Sequence, residues 1–117
     1  MEAPRHHFCE AINHLNNDIL RMGTLVEEAM QNAMTALKTK DYELAGKTID
    51  ADTKINQLEL EIQDKLTVLI ATEQPVARDL RHIVTSLKVV TQLERMGDHA
   101  VHIAKSAIRL KGEEYIK

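Results

Sequence analysis

Glu94 and Asp98 stand four residues apart in the run Leu93-Glu94-Arg95-Met96-Gly97-Asp98-His99. On a helix that spacing puts both carboxylates on one face, where like charges repel and mildly destabilise the helix. His102 follows one turn later, so two acids and an imidazole in a row could supply oxygen and nitrogen ligands to a divalent or ferric ion. Earlier in the chain Asp52 and Asn56 repeat the four-residue spacing, with Asp50 and Glu59 nearby. The competing reading is an ordinary charged exterior, in which Arg95 pairs with Glu94 or Asp98 and Lys54 with Asp50.

Other chemistries find no residues. The chain has no glycine-rich phosphate loop, no nucleophile elbow and no pair of cysteines at zinc spacing. None of the six histidines forms a His-Glu-x-x-His motif, and the Glu-x-x-His pairs of a di-iron bundle are missing. Cys9 sits beside His6 and His7, a cluster that reads as a frayed chain end rather than a ligand set. With no triad and no general acid/base pair, the chain reads as a non-enzyme.

The elements that must position these residues are helices. Of 117 residues, 44% are hydrophobic but only 3% aromatic, with four Gly, two Pro and no Trp. A β-sandwich or barrel needs more turns and more aromatic and β-branched residues than this. Fifteen basic against eighteen acidic side chains give a net charge of -3, which argues against a nucleic-acid footprint. No apolar run is long enough to span a membrane. The first residues lack the apolar core of a secretory signal, and the lone Cys9 fits a reducing cytosol.

Three apolar stripes at helical spacing predict helices over about residues 5–38, 42–72 and 76–110. The first stripe is Phe8, Ile12, Leu15, Ile19, Met22, Val26, Ala29, Ala33 and Leu37. The second is Leu44, Thr48, Ala51, Ile55, Leu58, Ile62, Leu66 and Leu69. The third is Leu80, Ile83, Leu87, Val90, Leu93, Gly97, Ala100, Ala104 and Ala107. Asp41 is placed to cap the second helix, Pro75 to open the third at its first position, and Lys111-Gly112 to end it. Gly23 and Gly97, each unfavourable inside a helix, either permit a close helix approach or leave room beside them. Short connections make neighbouring helices antiparallel, so the expectation is all-α, one up-down-up three-helix bundle over residues 1–117.

That topology sharpens the carboxylate reading. With a turnaround near residues 74–75, facing positions in the second and third helices sum to roughly 149 at equal rise per residue. Asp52 then lies level with Gly97, and Asn56 with Leu93. Positions 52, 56, 94 and 98 each adjoin a seam position, so they line the edge of one groove.

The stretch Gln74-Pro75-Val76-Ala77-Arg78-Asp79-Leu80-Arg81, followed by Leu93-Glu94-Arg95-Met96-Gly97-Asp98-His99-Ala100, resembles the PhoU family of phosphate-signalling regulators. Met22-Gly23-x-Leu25-Val26-Glu27 and Asp52-x-x-Ile55-Asn56-x-Leu58-Glu59 are similar to its other recurring segments. The resemblance runs from about Phe8 to Ala107 and implies tandem three-helix bundles, of which this chain carries one. It implies a cytoplasmic protein, peripheral to the inner membrane through its partners, that represses the phosphate-starvation response when phosphate is plentiful. Those partners are the ATPase component of a phosphate ABC transporter and a sensor histidine kinase. It further implies a divalent metal or a multinuclear iron or zinc cluster at acid-x-x-x-acid pairs, here Asp52 with Asn56 and Glu94 with Asp98. Three positions depart from the family pattern: Asn56 where an acid is frequent, Gln92 where Asp is frequent, and His102 where Asn is usual, the last a candidate extra ligand. One bundle in place of two reads as a truncated half, a single-repeat relative, or a protomer of a homodimer that covers the apolar surface a second bundle would cover. A metal-dependent hydrolase and a purely structural helical scaffold are the alternative functions.

Overall fold

The computed structural model describes residues 3–113, with side chains described for 8–110. Three helices follow one another: α1 (Ala3–Thr39), α2 (Tyr42–Glu73) and α3 (Ala77–Glu113). Each packs against both others, giving an antiparallel up-down-up bundle 71 Å long and 18 × 16 Å across.

Both reversals are made by local hydrogen bonding. Lys40 takes a left-handed backbone (φ 60°) after α1, and the Asp41 amide donates to the Ala36 carbonyl at 3.1 Å. Asp41 then caps α2 by accepting the Leu44 amide on Oδ1 at 3.0 Å. Gln74, also left-handed at φ 42°, closes α2 with its amide on the Ile70 carbonyl. Pro75 stands ahead of α3 rather than at its first position. The first α3 bond runs from the Leu80 amide to the Val76 carbonyl at 2.9 Å. Gly112 does not end α3, which continues to Glu113; a glycine weakens a helix without forbidding it.

Core side chains change character along the bundle. Phe8, Leu15, Leu66, Leu69 and Ile83 fill the end near the α2–α3 turn. Ala29, Ala33, Ala36, Ala45, Ala100, Ala104 and Ala107 line the other end, where buried Thr48 donates its hydroxyl to the Leu44 carbonyl at 3.0 Å. Met22, Val26, Ile55, Ile62 and Val90 hold the middle.

The third stripe departs from expectation. Ile83, Val90, Gly97, Ala100, Ala104 and Ala107 are buried, but Leu80 and Leu87 are exposed. A helix in a three-helix bundle touches two neighbours over a limited arc, and these leucines lie outside it. Gly23 also serves no close approach, since a Cβ there meets nothing within 4 Å. Gly97 does lie against α2: a Cβ there would stand 3.5 Å from Ile55 Cγ2.

A carboxylate groove between the second and third helices

Gly97 fixes the register of the groove. The place its Cβ would take is 3.7 Å from Asp52 Oδ1, so positions 52 and 97 lie level, as the turnaround arithmetic requires. Ile55 beneath is 1% exposed and anchors this part of α2 in the core. Asp52 and Glu59, seven residues apart, project from the α2 side. Glu94 and Asp98 project from α3.

Asp52 is half-buried, and its two oxygens differ. Oδ2 accepts a hydrogen bond from Asn56 Nδ2 at 3.1 Å, whereas Oδ1 is buried with no partner. Burial raises the Asp52 pKa, the Asn56 bond opposes this, the Asp98 charge adds to it and Lys105 offsets it. Burial also raises Glu59, with the Asp98 charge second. Glu94 is raised first by burial, then by a hydrogen bond to Asp98 that only its protonated form can donate. The charges of Asp98, Glu59 and Asp52 push it the same way. Four carboxylates thus share one groove, with Asp98 acting on the other three.

The structure brings together Asp52, Asn56, Glu94 and Asp98 and adds Glu59 and Lys105. It places His102 elsewhere, in the groove between α1 and α3 with Met30, Leu37, Met96, His99 and Ile103. The sequence signal for Glu59 is its heptad spacing from Asp52. Lys105 lies seven residues beyond Asp98 on the same side of α3. Cys9 is exposed and free, while the side chains of His6 and His7 lie outside the described residues.

A hard cation suits this donor set. An unpartnered buried oxygen and three carboxylates raised first by burial, with the charge of Asp98 adding to it, are groups that a positive charge would satisfy. All-oxygen donors fit magnesium, calcium, manganese or ferric ions, whereas zinc favours nitrogen and sulfur. As they stand, no three His, Cys, Asp or Glu side chains among the described residues converge on one point, so ligation would draw side chains across the groove. Two open hollows, of about 500 and 470 Å³, lie in the α1–α2 and α1–α3 grooves and include none of the four carboxylates.

The PhoU domain matches residues 19–107. The chain belongs to the PhoU domain family. It is 45% identical over 105 residues to the Phosphate-specific transport system accessory protein PhoU homolog of Clostridium acetobutylicum, covering 89% of this chain and 48% of that protein. It is 40% identical over 106 residues to the Aquifex aeolicus homolog, covering 91% and 48%. With the accessory protein PhoU of Serratia marcescens the identity is 37% over 101 residues, covering 86% and 42%. The chain therefore spans about half the length of the curated relatives it matches. Both carboxylate pairs lie inside the matched segment.

Proposed function

We infer that this PhoU-family chain is a non-catalytic regulator of phosphate uptake and of phosphate-starvation signalling, active when phosphate is plentiful. The observation that carries the reading is 45% identity, across 89% of the chain, to a relative named for the phosphate-specific transport system. Its partners are the ATPase component of a phosphate ABC transporter and a sensor histidine kinase, and it works in the cytoplasm against the membrane they occupy. Among the described residues no helix is long and apolar enough to cross a membrane, which supports attachment through partners. Exposed apolar side chains on α3 support self-association into a homodimer.

The carboxylate groove is the metal site of this reading. Asp52, Asn56, Glu94 and Asp98 hold a hard cation, with Glu59 close by. The ion would neutralise charge and tie α2 to α3, stiffening the face that a partner meets. The chain's own residues set that face. Ile55 and Gly97 hold the two helices in register, Asn56 orients Asp52 through its amide, and Asp98 accepts a hydrogen bond from protonated Glu94 while its charge opposes ionisation of the other acids. The hydrolase reading calls for a base beside a pocket, and the hollows of the α1–α2 and α1–α3 grooves include none of the four acids.

The test is deletion of the gene in source cells grown with ample phosphate. Alkaline phosphatase should rise well above the parental level, and a plasmid copy should return it. Unchanged low activity, with no second PhoU gene present, would remove the phosphate role.

A further inference from the structure

A second set of metal-ligating side chains lies across α3 from the carboxylates. Met96 follows Glu94 by two residues, which is about 200° round a helix. Met96, His99 and His102 run at steps of three, so successive Cβ atoms stand about 5–6 Å apart. These three and Met30 of α1 line the hollow of about 470 Å³ between α1 and α3, together with Leu37 and Ile103. No carboxylate lines it.

Core packing accounts for only part of this set. Met30 is half-buried and packs on the core, as methionine commonly does. Met96 is 44% exposed and both imidazoles are exposed, so three of the four donors stand at the solvent rim of the hollow.

We propose that this hollow binds a soft monovalent cation, cuprous copper, between the thioethers of Met30 and Met96 and the imidazoles of His99 and His102. Thioethers select Cu(I), and neutral imidazole is a ligand copper accepts as well. Zinc is held by thiolate, imidazole or carboxylate, so here it would find only the two imidazoles. Magnesium, calcium and manganese prefer oxygen, which the other side of α3 supplies. The helix thus sorts donors by hardness, with oxygen towards α2 and sulfur and nitrogen towards α1. Packed helix axes lie about 8–10 Å apart, and the three rotatable bonds of methionine let Met30 reach across. Lys38 lines the adjoining hollow with Met30 and Met34, and its charge repels a divalent ion twice as strongly as a monovalent one. The bound ion would tie α1 to α3, as the carboxylate groove ties α2 to α3.

The test uses the full chain in a Cys9→Ser background, because the exposed native thiol would itself take Cu(I). Under anaerobic reducing conditions the protein competes for Cu(I) with the coloured chelator bicinchoninate, and an equivalent of copper should pass to each chain. Met96→Leu and His99→Asn should each weaken binding by about tenfold or more. His82→Asn, outside the hollow, should leave it unchanged. Circular dichroism checks that all variants stay helical. Carbon-13 methyl spectra with silver(I), a redox-inert soft probe, read the thioethers directly. The Met30 and Met96 methyl signals should shift and those of Met22 and Met34 should not, while magnesium should move neither of the first two. Failure to take copper from the chelator, binding unaltered by both Met96→Leu and His99→Asn, or zinc held as tightly as Cu(I) overturns the soft-metal site. So does silver that shifts Met34 in place of Met96. None of these results bears on the phosphate role, which the gene deletion tests separately.

Discussion

Asp98→Asn should stabilise the metal-free protein. Burial is the first cause that raises Asp52, Glu59 and Glu94, and the charge of Asp98 adds to all three. A like-charge pair at i,i+4 costs a helix about 0.2–0.5 kcal/mol, and Glu94 with Asp98 is such a pair. The two contacts across the groove, to Asp52 and Glu59, are of the same order, so removing the charge should yield about 1 kcal/mol at pH 7 and low salt. For a chain of this size that is roughly a 4 °C rise in melting temperature. The dependence on pH follows from the raised carboxylates. Between the ordinary values of 3.8 and 4.5 and the higher folded values, the native state binds more protons than the unfolded one. Stability contributed by these groups is therefore present at acid pH and is lost as pH rises through their folded pKa values. The variant should match wild type near pH 4 and exceed it increasingly towards neutrality, and about 1 M salt should screen the gain away. Urea titrations at several pH values measure this directly. In manganese at ten times its dissociation constant the wild type should gain about 1.4 kcal/mol and the variant little, reversing their order. A variant less stable than wild type at pH 7 without metal, or a gain unchanged by salt, would refute the crowded-carboxylate reasoning.

Substitutions at three further positions test the scaffold. Asp41→Ala removes the side chain that accepts the Leu44 amide and should cost about 1 kcal/mol in urea unfolding, with Asp41→Asn largely neutral. Ile62→Ala truncates a side chain with no exposed surface and should cost about 2–5 kcal/mol by the same assay. Gly97→Ala should raise the melting temperature, because a methyl there meets Ile55 at an ordinary 3.5 Å and alanine favours a helix interior by about 1 kcal/mol. The same methyl would stand an ordinary 3.7 Å from Asp52 Oδ1, so calorimetry should show manganese binding like that of wild type.

The helices and their order were legible because spacing of apolar residues at three and four has only one common cause. The Asp41 cap was equally plain, being a short acid at the foot of a new stripe. The Asp52–Gly97 level followed from counting outwards from Gln74-Pro75, which works because both helices rise equally per residue. What spacing does not carry is the width of the buried arc. Leu80 and Leu87 share the period of Ile83 and Val90, and only the placement of two neighbouring helices leaves the leucines outside. His102 misled for a related reason. Steps of four drift by about 40° per turn, so a stripe through 94, 98 and 102 leaves one groove for another. Glu59 joined the carboxylates through its heptad relation to Asp52, a relation that gains meaning once α3 lies opposite.

The most direct test of the carboxylate groove as the working part of the regulator is one complementation measurement. Deletion cells in ample phosphate would carry the chain with Asp52→Asn, Glu94→Gln and Asp98→Asn together, near-isosteric changes at an exposed Asp98 and half-buried Asp52 and Glu94. Alkaline phosphatase should stay high, as in the empty deletion strain, while the wild-type gene brings it down. Full repression by the triple variant, present at wild-type abundance, would contradict a role for the groove.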